Sequence, residues 1–373
     1  GSTFKTSQAL TFLSEGIVTP GTAFPCHRGF YYRGLHVGCH SHPAPIALVD
    51  ALSTSCNGYF CWGLYYMMGN RKRYHNVQDA MTTWRDYMVS MGFGYKLGID
   101  LPGEKRGMIP NADYYDRNYH GSWNGLTIIS ISIGQGEVTL TPLQIANLGA
   151  TIANRGYYYV PHVVRKVKGE PLDTLYTRRH QTKASARAYE YVVAGMRSSA
   201  LKGTCRRLAQ YDFEACGKTG TAQNRGHDHS VFMGFAPMNK PKIAIAVYVE
   251  NGGWGADYGV PIGGLMMEQY LHGKLSPASE AQAAEMQKRR IGYGARFVEQ
   301  KSAKEKAKEA KEKAAKEKAA QAKAVEAAKK KQMVKEAAKA KVKGKNAKNA
   351  KNVRGNAAVA KPRKEPIRIE SKQ

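Results

Sequence analysis

Three short polar groupings hold residue types that do chemistry together. Ser2-Thr3-Phe4-Lys5 spaces a hydroxyl and an amine by three residues. On a helix that spacing puts both on one face, within contact range. A serine hydroxyl is a weak nucleophile at neutral pH, and a neighbouring amine in its neutral form can take its proton. A helix N-terminus there would add a partial positive field beside a developing oxyanion. Ser55-Cys56-Asn57 supplies a hydroxyl that can relay a proton to a leaving amine and an amide that offers a peptide both donor and acceptor. In Lys218-Thr219-Gly220-Thr221, the missing side chain at Gly220 lets another backbone approach a strand. Lys218, Thr219 and Thr221 offer donors to a carboxylate, and the Thr221 N–H can pair with that of Ser2 as an oxyanion hole. Each grouping alone also has a bland reading: a helix cap with a surface lysine, two polar groups on a helix, a strand end with a basic residue.

A second concentration of reactive groups is Cys26, Cys39, His40, His42 and Cys56 within 31 residues. Three thiolates and one imidazole make a closed tetrahedral set for a structural Zn²⁺. The spacing is looser than a zinc finger's, and a Cys26–Cys39 disulfide is the competing reading. Cys205 and Cys216 flank the approach to the lysine-threonine-glycine run, as a second disulfide or as two buried thiols, and Cys61 reads as core. Six cysteines are too few to build a disulfide scaffold in 373 residues.

The elements that must position these groups follow from periodicity and punctuation. Residues 2–14 read as a helix with Gly16 as its stop, and 17–43 as a long ordered loop. Residues 44–68 read as one helix carrying Ser55 and Asn57. Its aromatics Tyr59, Phe60, Trp62, Tyr65 and Tyr66 are read as packing. Residues 77–91, 141–154, 184–199 and 260–272 read as further helices, with Pro142 near the start of one. Residues 93–136 read as irregular. Segments 215–221, 231–236 and 243–250 have strand content, and a turn-like Pro237-Met238-Asn239-Lys240-Pro241 joins the last two. Helices first and strands afterwards predict an α/β (α+β) arrangement with an antiparallel sheet.

The formal net charge of +28 is uneven. Residues 288–373 hold about 29 Lys and Arg against about 9 Asp and Glu, so the earlier part has an ordinary balance. Two domains are therefore expected, 1–275 folded and 276–373 a basic low-complexity tail. Within the tail, 301–343 has helix propensity without an apolar stripe, and 344–373 predicts disorder. Its charge suits an anionic polymer such as nucleic acid, acidic wall polymer or phospholipid headgroups, or simply a solvated extension. Interleaved glutamates and scarce aromatics disfavour nucleic acid. No stretch reaches the roughly 18 consecutive apolar residues of a membrane helix.

Serine-x-x-lysine, serine-x-asparagine and lysine-threonine-glycine, in this order and on helix, helix and strand, form the motif set of penicillin-binding proteins and class A β-lactamases. The sequence around them resembles the penicillin-binding protein 2 family, the monofunctional class B transpeptidases of cell elongation. GSTFKTSQALTFLSEG, LSTSCNGYF, GIDLPGEKRGMIPN, SIGQGEVTLTPLQIAN and CGKTGTAQN carry the resemblance, which runs from Gly1 to about Leu275. It implies that Ser2 is acylated, with Lys5 as base, Ser55 as proton relay and Asn57 as holder of a peptidoglycan stem peptide. Lys218, Thr219 and Thr221 would hold the terminal carboxylate and the oxyanion. The substrate would be a stem peptide, β-lactams would trap the acyl-enzyme, and the chemistry would need no cofactor. Some relatives are similar in holding zinc with Asp, Asp, His and Cys. Cys26 and Cys39 would then replace the carboxylates beside Cys56, with His42 as fourth ligand and His40 its rival. The resemblance further implies a periplasmic, inner-membrane location, an anchor and upstream segment belonging to a longer protein, two sheet strands preceding residue 1, and a membrane-bound glycosyltransferase partner. A D,D-carboxypeptidase or β-lactamase on the same fold, and a non-catalytic β-lactam sensor or scaffold, are the alternatives.

Overall fold

The structure is a computed structural model that describes residues 1–292; the helical and disordered readings for 301–343 and 344–373 lie outside the described residues. A 3₁₀ turn, Ser2–Phe4, runs directly into helix α1 (Lys5–Ser14). Residues Lys5 to Phe12 of α1 are all buried, polar ones included. A central helix can be this polar only if its side chains are paired. Gln8 donates to the Ile131 carbonyl at 2.9 Å and accepts from Trp84 Nε1 at 2.7 Å, while Thr6, Ser7 and Thr11 donate to carbonyls one turn back. Just beyond α1, Glu15 accepts from Arg73 Nε, Tyr74 OH and Tyr87 OH. Burial pushes the Glu15 carboxyl up, but these bonds outweigh it and hold it below the usual carboxylate range.

The segment 17–43, expected as a loop, contains a hairpin of β1 (Gly29–Tyr32) and β2 (Leu35–Gly38). Its two-residue turn is Arg33-Gly34, both at positive φ, 48° and 80°, the backbone twist that short hairpins prefer. The expected single helix over 44–68 is two helices, α2 (Leu48–Ser53) and α3 (Asn57–Gly69). The break has a local cause. Ser55 lies in the left-handed region at φ +60°, and Cys56 caps α3, its Sγ accepting from Tyr59 N at 3.3 Å. The α3 aromatics pack onto the hairpin segment, with Trp62 against Phe30 at 4.6 Å and Tyr65 against Tyr32 at 4.9 Å between centroids.

Helix α4 (Val77–Ser90) starts at the cap Asn76. Residues 93–136 are less irregular than expected, containing α5 (Ala112–Tyr119) and a 3₁₀ turn, Ile129–Ile133. Helix α6 (Pro142–Ala153) begins with a full capping box, Thr141 with Gln144, and α7 (Ala186–Lys202) is capped by Ser185. Strands β3 (Cys216–Ala222), β4 (His229–Ala236) and β5 (Ile243–Val249) form an antiparallel sheet in that order. Alternation along β4 sends its side chains into two cores. Val231, Met233 and Phe235 join the large core, where Met233 lies close to Gly149 of α6. Phe232 points the other way, against Gly263 of α8 (Gly259–His272). With both faces covered, β4 is almost continuously buried. This is the α+β arrangement expected from the sequence, antiparallel strands between helices. Helix α9 (Pro277–Lys288) lies past residue 275, and its Ser279 is buried. Among the described residues, no helix is long and apolar enough to cross a membrane.

Candidate active site

The left-handed Ser55 turns the start of α3 toward α1, and Lys5 fills the space between them. Lys5 is fully buried, and its Nζ donates to the Ser55 carbonyl at 2.7 Å, to Ser55 Oγ at 3.3 Å and to Asn57 Oδ1 at 2.5 Å. Burial lowers the Lys5 pKa to about 8, so a neutral amine is within reach near physiological pH. Asn57 is itself fixed: its Nδ2 donates to the Gly38 carbonyl at 2.6 Å and its backbone N–H to Cys39 Sγ at 3.2 Å. Ser2 lines the cleft, and its Oγ has no hydrogen-bond partner among the described residues.

The opposite wall is β3. Gly220 was expected to give clearance to a substrate. A Cβ there would lie 3.2 Å from Val231 Cβ and 3.3 Å from Thr3 Cγ2, so its clearance lets the Ser2–Phe4 turn seat against the strand. Lys218 is fully buried, its Nζ donating to the Thr219 carbonyl at 3.1 Å. Burial, and then the charge of Lys5, lower its pKa to about 7. Thr219 Oγ1 donates to Thr204 Oγ1 at 2.7 Å, so two hydroxyls converge above a buried amine, an arrangement suited to a carboxylate. The cleft between these walls has a volume of about 610 Å³; Ser2, Ser55, Asn57, Thr219 and Thr221 all face it.

Sequence reasoning missed Thr204, Gln135, Asp228 and Trp254, which line the same cleft. Gln135 lies in the SIGQG run, and its Nε2 donates to the Thr221 carbonyl at 3.4 Å. Position along the chain gives no signal for Thr204, Asp228 or Trp254, because they arrive from loops.

Behind Asn57, donor atoms of Cys26, Cys39, His42 and Cys56 lie within 4.8 Å of one another. His42 is the imidazole in this group, while His40 faces the cleft. His42 Nδ1 is 2.8 Å from the Pro43 carbonyl, which fixes the proton there and leaves the Nε2 lone pair aimed at Cys39 Sγ, 3.6 Å away. Such a second hydrogen bond is what orients a metal-binding imidazole. The bond from Cys56, with that of the Asn57 N–H, lowers the Cys39 thiol to about 4, against the effect of burial. Two buried thiols, a stabilised thiolate and an oriented imidazole fit a tetrahedral Zn²⁺ in donor type and number. All six cysteines are unbonded, Cys205 and Cys216 included, and Cys61 is core, accepting from Ser132 Oγ at 3.3 Å.

Residues 1–268 match the family described as penicillin binding protein transpeptidase domain. A peptidoglycan D,D-transpeptidase MrdA of Acinetobacter baumannii is 34% identical over 281 residues, 68% of this chain and 39% of that protein. The protein of the same name from Escherichia coli (strain K12) is 26% identical over 300 residues, 72% of this chain and 44% of that one. The chain thus spans about two fifths of the length of these curated relatives. Among solved structures, PBP2 of Pseudomonas aeruginosa in complex with WCK 5153 superposes with a TM-score of 0.64 at 28% identity, covering 74% of this chain and 60% of the other. With the motif residues gathered at one cleft, the chain belongs to the penicillin-binding protein transpeptidase family, of the PBP2 type.

Proposed function

We propose that the chain catalyses D,D-transpeptidation of peptidoglycan stem peptides through an acyl-enzyme on Ser2. One observation carries this reading: a buried lysine of depressed pKa, bonded to Ser55 and Asn57, beside Ser2 and opposite a carboxylate-binding strand. In the first half-reaction, Lys5 in its neutral form takes the Ser2 Oγ proton as Oγ attacks the carbonyl before the terminal D-Ala. Backbone N–H groups of Ser2 and Thr221 receive the oxyanion. The C–N bond breaks, Ser55 relays the proton to the departing amine, and D-Ala leaves. Lys218, Thr219 and Thr204 hold its carboxylate, and Asn57 holds the stem peptide. In the second half-reaction an amine of a neighbouring stem attacks the ester, and the proton path runs in reverse. Catalysis on Ser2 needs no metal ion in any of these steps.

The test is product analysis with a D-Ala-D-Ala peptide and an amine acceptor. Cross-linked peptide should form along with released D-Ala. Release of D-Ala without cross-linked product would identify a carboxypeptidase instead.

Cys26, Cys39, His42 and Cys56 are the ligands of a structural zinc in this reading. The ion would tie the β1–β2 hairpin segment to the start of α3, and through Cys39 it would brace Asn57. Purified chain should carry one Zn²⁺ by elemental mass spectrometry, and cobalt substitution should give thiolate-to-metal absorption. Cys26→Ser, remote from Ser2, should weaken metal binding by at least tenfold and lower the melting temperature. A metal-free chain that melts no lower after chelation would remove the zinc.

In this reading the transpeptidase domain is 1–275, and within 276–373 the basic sequence that follows α9 would serve an anionic polymer. Action at the periplasmic face of the inner membrane, and pairing with a membrane-bound glycosyltransferase, are part of this reading. One solved structure at 28% identity is described as a peptidoglycan synthase complex coordinating polymerization and crosslinking.

A further inference from the structure

Asp228 lines the cleft and takes no part in the chemistry above. It is the sole carboxylate among the lining residues, and no ion pair or side-chain hydrogen bond engages it among the described residues. Its backbone is held in place, the Asp228 carbonyl accepting from Gly253 N at 2.8 Å. That bond brings the loop bearing Trp254 to the same rim. Trp254 is 67% exposed and faces the cleft. A carboxylate with an open indole nearby is a receptor for an ammonium group.

The direction of the cleft says which ammonium. The carboxylate end is fixed by Thr219 and Thr204, and Ser2 with Thr221 marks the reacting carbonyl. A donor peptide laid along β3 must therefore run past Thr221 toward Gln223, away from its own C-terminus. Ala222 pairs with His229, so Asp228 and Gln223 stand together just beyond the paired ends of β3 and β4. At roughly 3.3 Å per extended residue, the side chain reaching this place belongs to the residue immediately before the acylated one.

We propose that Asp228 is a specificity-determining residue that selects donor peptides with an ammonium-bearing side chain immediately before the acylated residue. The inference rests on the acyl-transfer reading of the site. The test compares two D-Ala-D-Ala peptides, identical except for lysine or N-acetyl-lysine at that position, by kcat/KM for D-Ala release. The unsubstituted chain should favour the lysine peptide by roughly two- to fivefold, the upper part of the range for an exposed charge pair. Asp228→Asn should bring the ratio close to one, and Asp228→Glu should restore part of it. Equal rates with the unsubstituted chain, or a preference that survives Asp228→Asn, would overturn the proposal. So would a defect confined to attack by the acceptor amine. A chain that releases no D-Ala and forms no penicillin adduct overturns the acyl-transfer reading and takes this inference with it.

Discussion

After incubation with a penicillin, the full chain gains the mass of one inhibitor, and Ser2→Ala gains none. The expected difference is complete, because a covalent adduct has no route without the nucleophile. Ser2 faces the cleft with its hydroxyl uncommitted, and the turn bearing it is locked against β3 through Thr3 and Gly220. Removing one oxygen from a half-exposed position should barely move the melting temperature. Loss of the adduct with an unchanged melting curve therefore isolates chemistry from folding. An adduct that persists in Ser2→Ala, mapped to another residue, would displace the acyl-enzyme from Ser2. With peptide substrate, D-Ala release should fall by about 10⁴-fold or more, the usual consequence of deleting a nucleophile from a preorganised site.

The sequence made the site legible where chemistry dictates residue type. Ser2, Lys5, Ser55, Asn57 and Lys218 stand out because the proposed acyl transfer has few substitutes for a hydroxyl, an amine and an amide at fixed spacings. The backbone that brings them together was harder to read. Residues 44–68 are mostly apolar with helix-compatible polar residues between, so the sequence reads as one helix, whereas a single left-handed residue, Ser55, divides it and sets Ser55 and Asn57 toward Lys5. The Arg33-Gly34 turn was visible in principle, flanked by Tyr32 and Leu35, but the surrounding glycines, prolines and histidines masked its alternation. Thr204, Asp228 and Trp254 are joined to the site only by tertiary contacts, Thr219 to Thr204 and Gly253 to Asp228. No local pattern encodes such contacts. The choice of His42 over His40 was also tertiary, since both lie in one short stretch and only folding shows which ring faces the thiols.

Lys5→Met should reduce the rate of penicillin acylation by roughly 10²- to 10⁴-fold, the range for losing a general base, while leaving Ser2 in place. The pH dependence separates this from a packing defect. With its pKa lowered to about 8 by burial, Lys5 is mostly protonated at pH 7, as its three donated hydrogen bonds suggest. Acylation by the unsubstituted chain should therefore climb about tenfold per pH unit and level off as the amine becomes neutral near pH 8. A rise centred near 7 that survives in Lys5→Met would assign the base to Lys218 instead. Stability should rise with pH as well, but in the window above the one in which activity climbs. The unfolded chain holds the Lys5 proton up to about 10.5 and the folded chain only to about 8, so the unfolded state binds more protons across that window. Burying the ammonium thus costs the fold most below pH 8, and stability should recover as pH rises toward 10.5. Methionine fills a similar volume without the charge, although it leaves the Ser55 carbonyl and Asn57 Oδ1 without their donor. Lys5→Met should accordingly melt at or above the temperature of the unsubstituted chain at pH 7, with a flatter stability profile between pH 8 and 10. A slow variant that also melts well below the parent would mean that Lys5 serves as a structural cross-link. A slow variant that is as stable or more so means that a charge costly to the fold is kept for its proton.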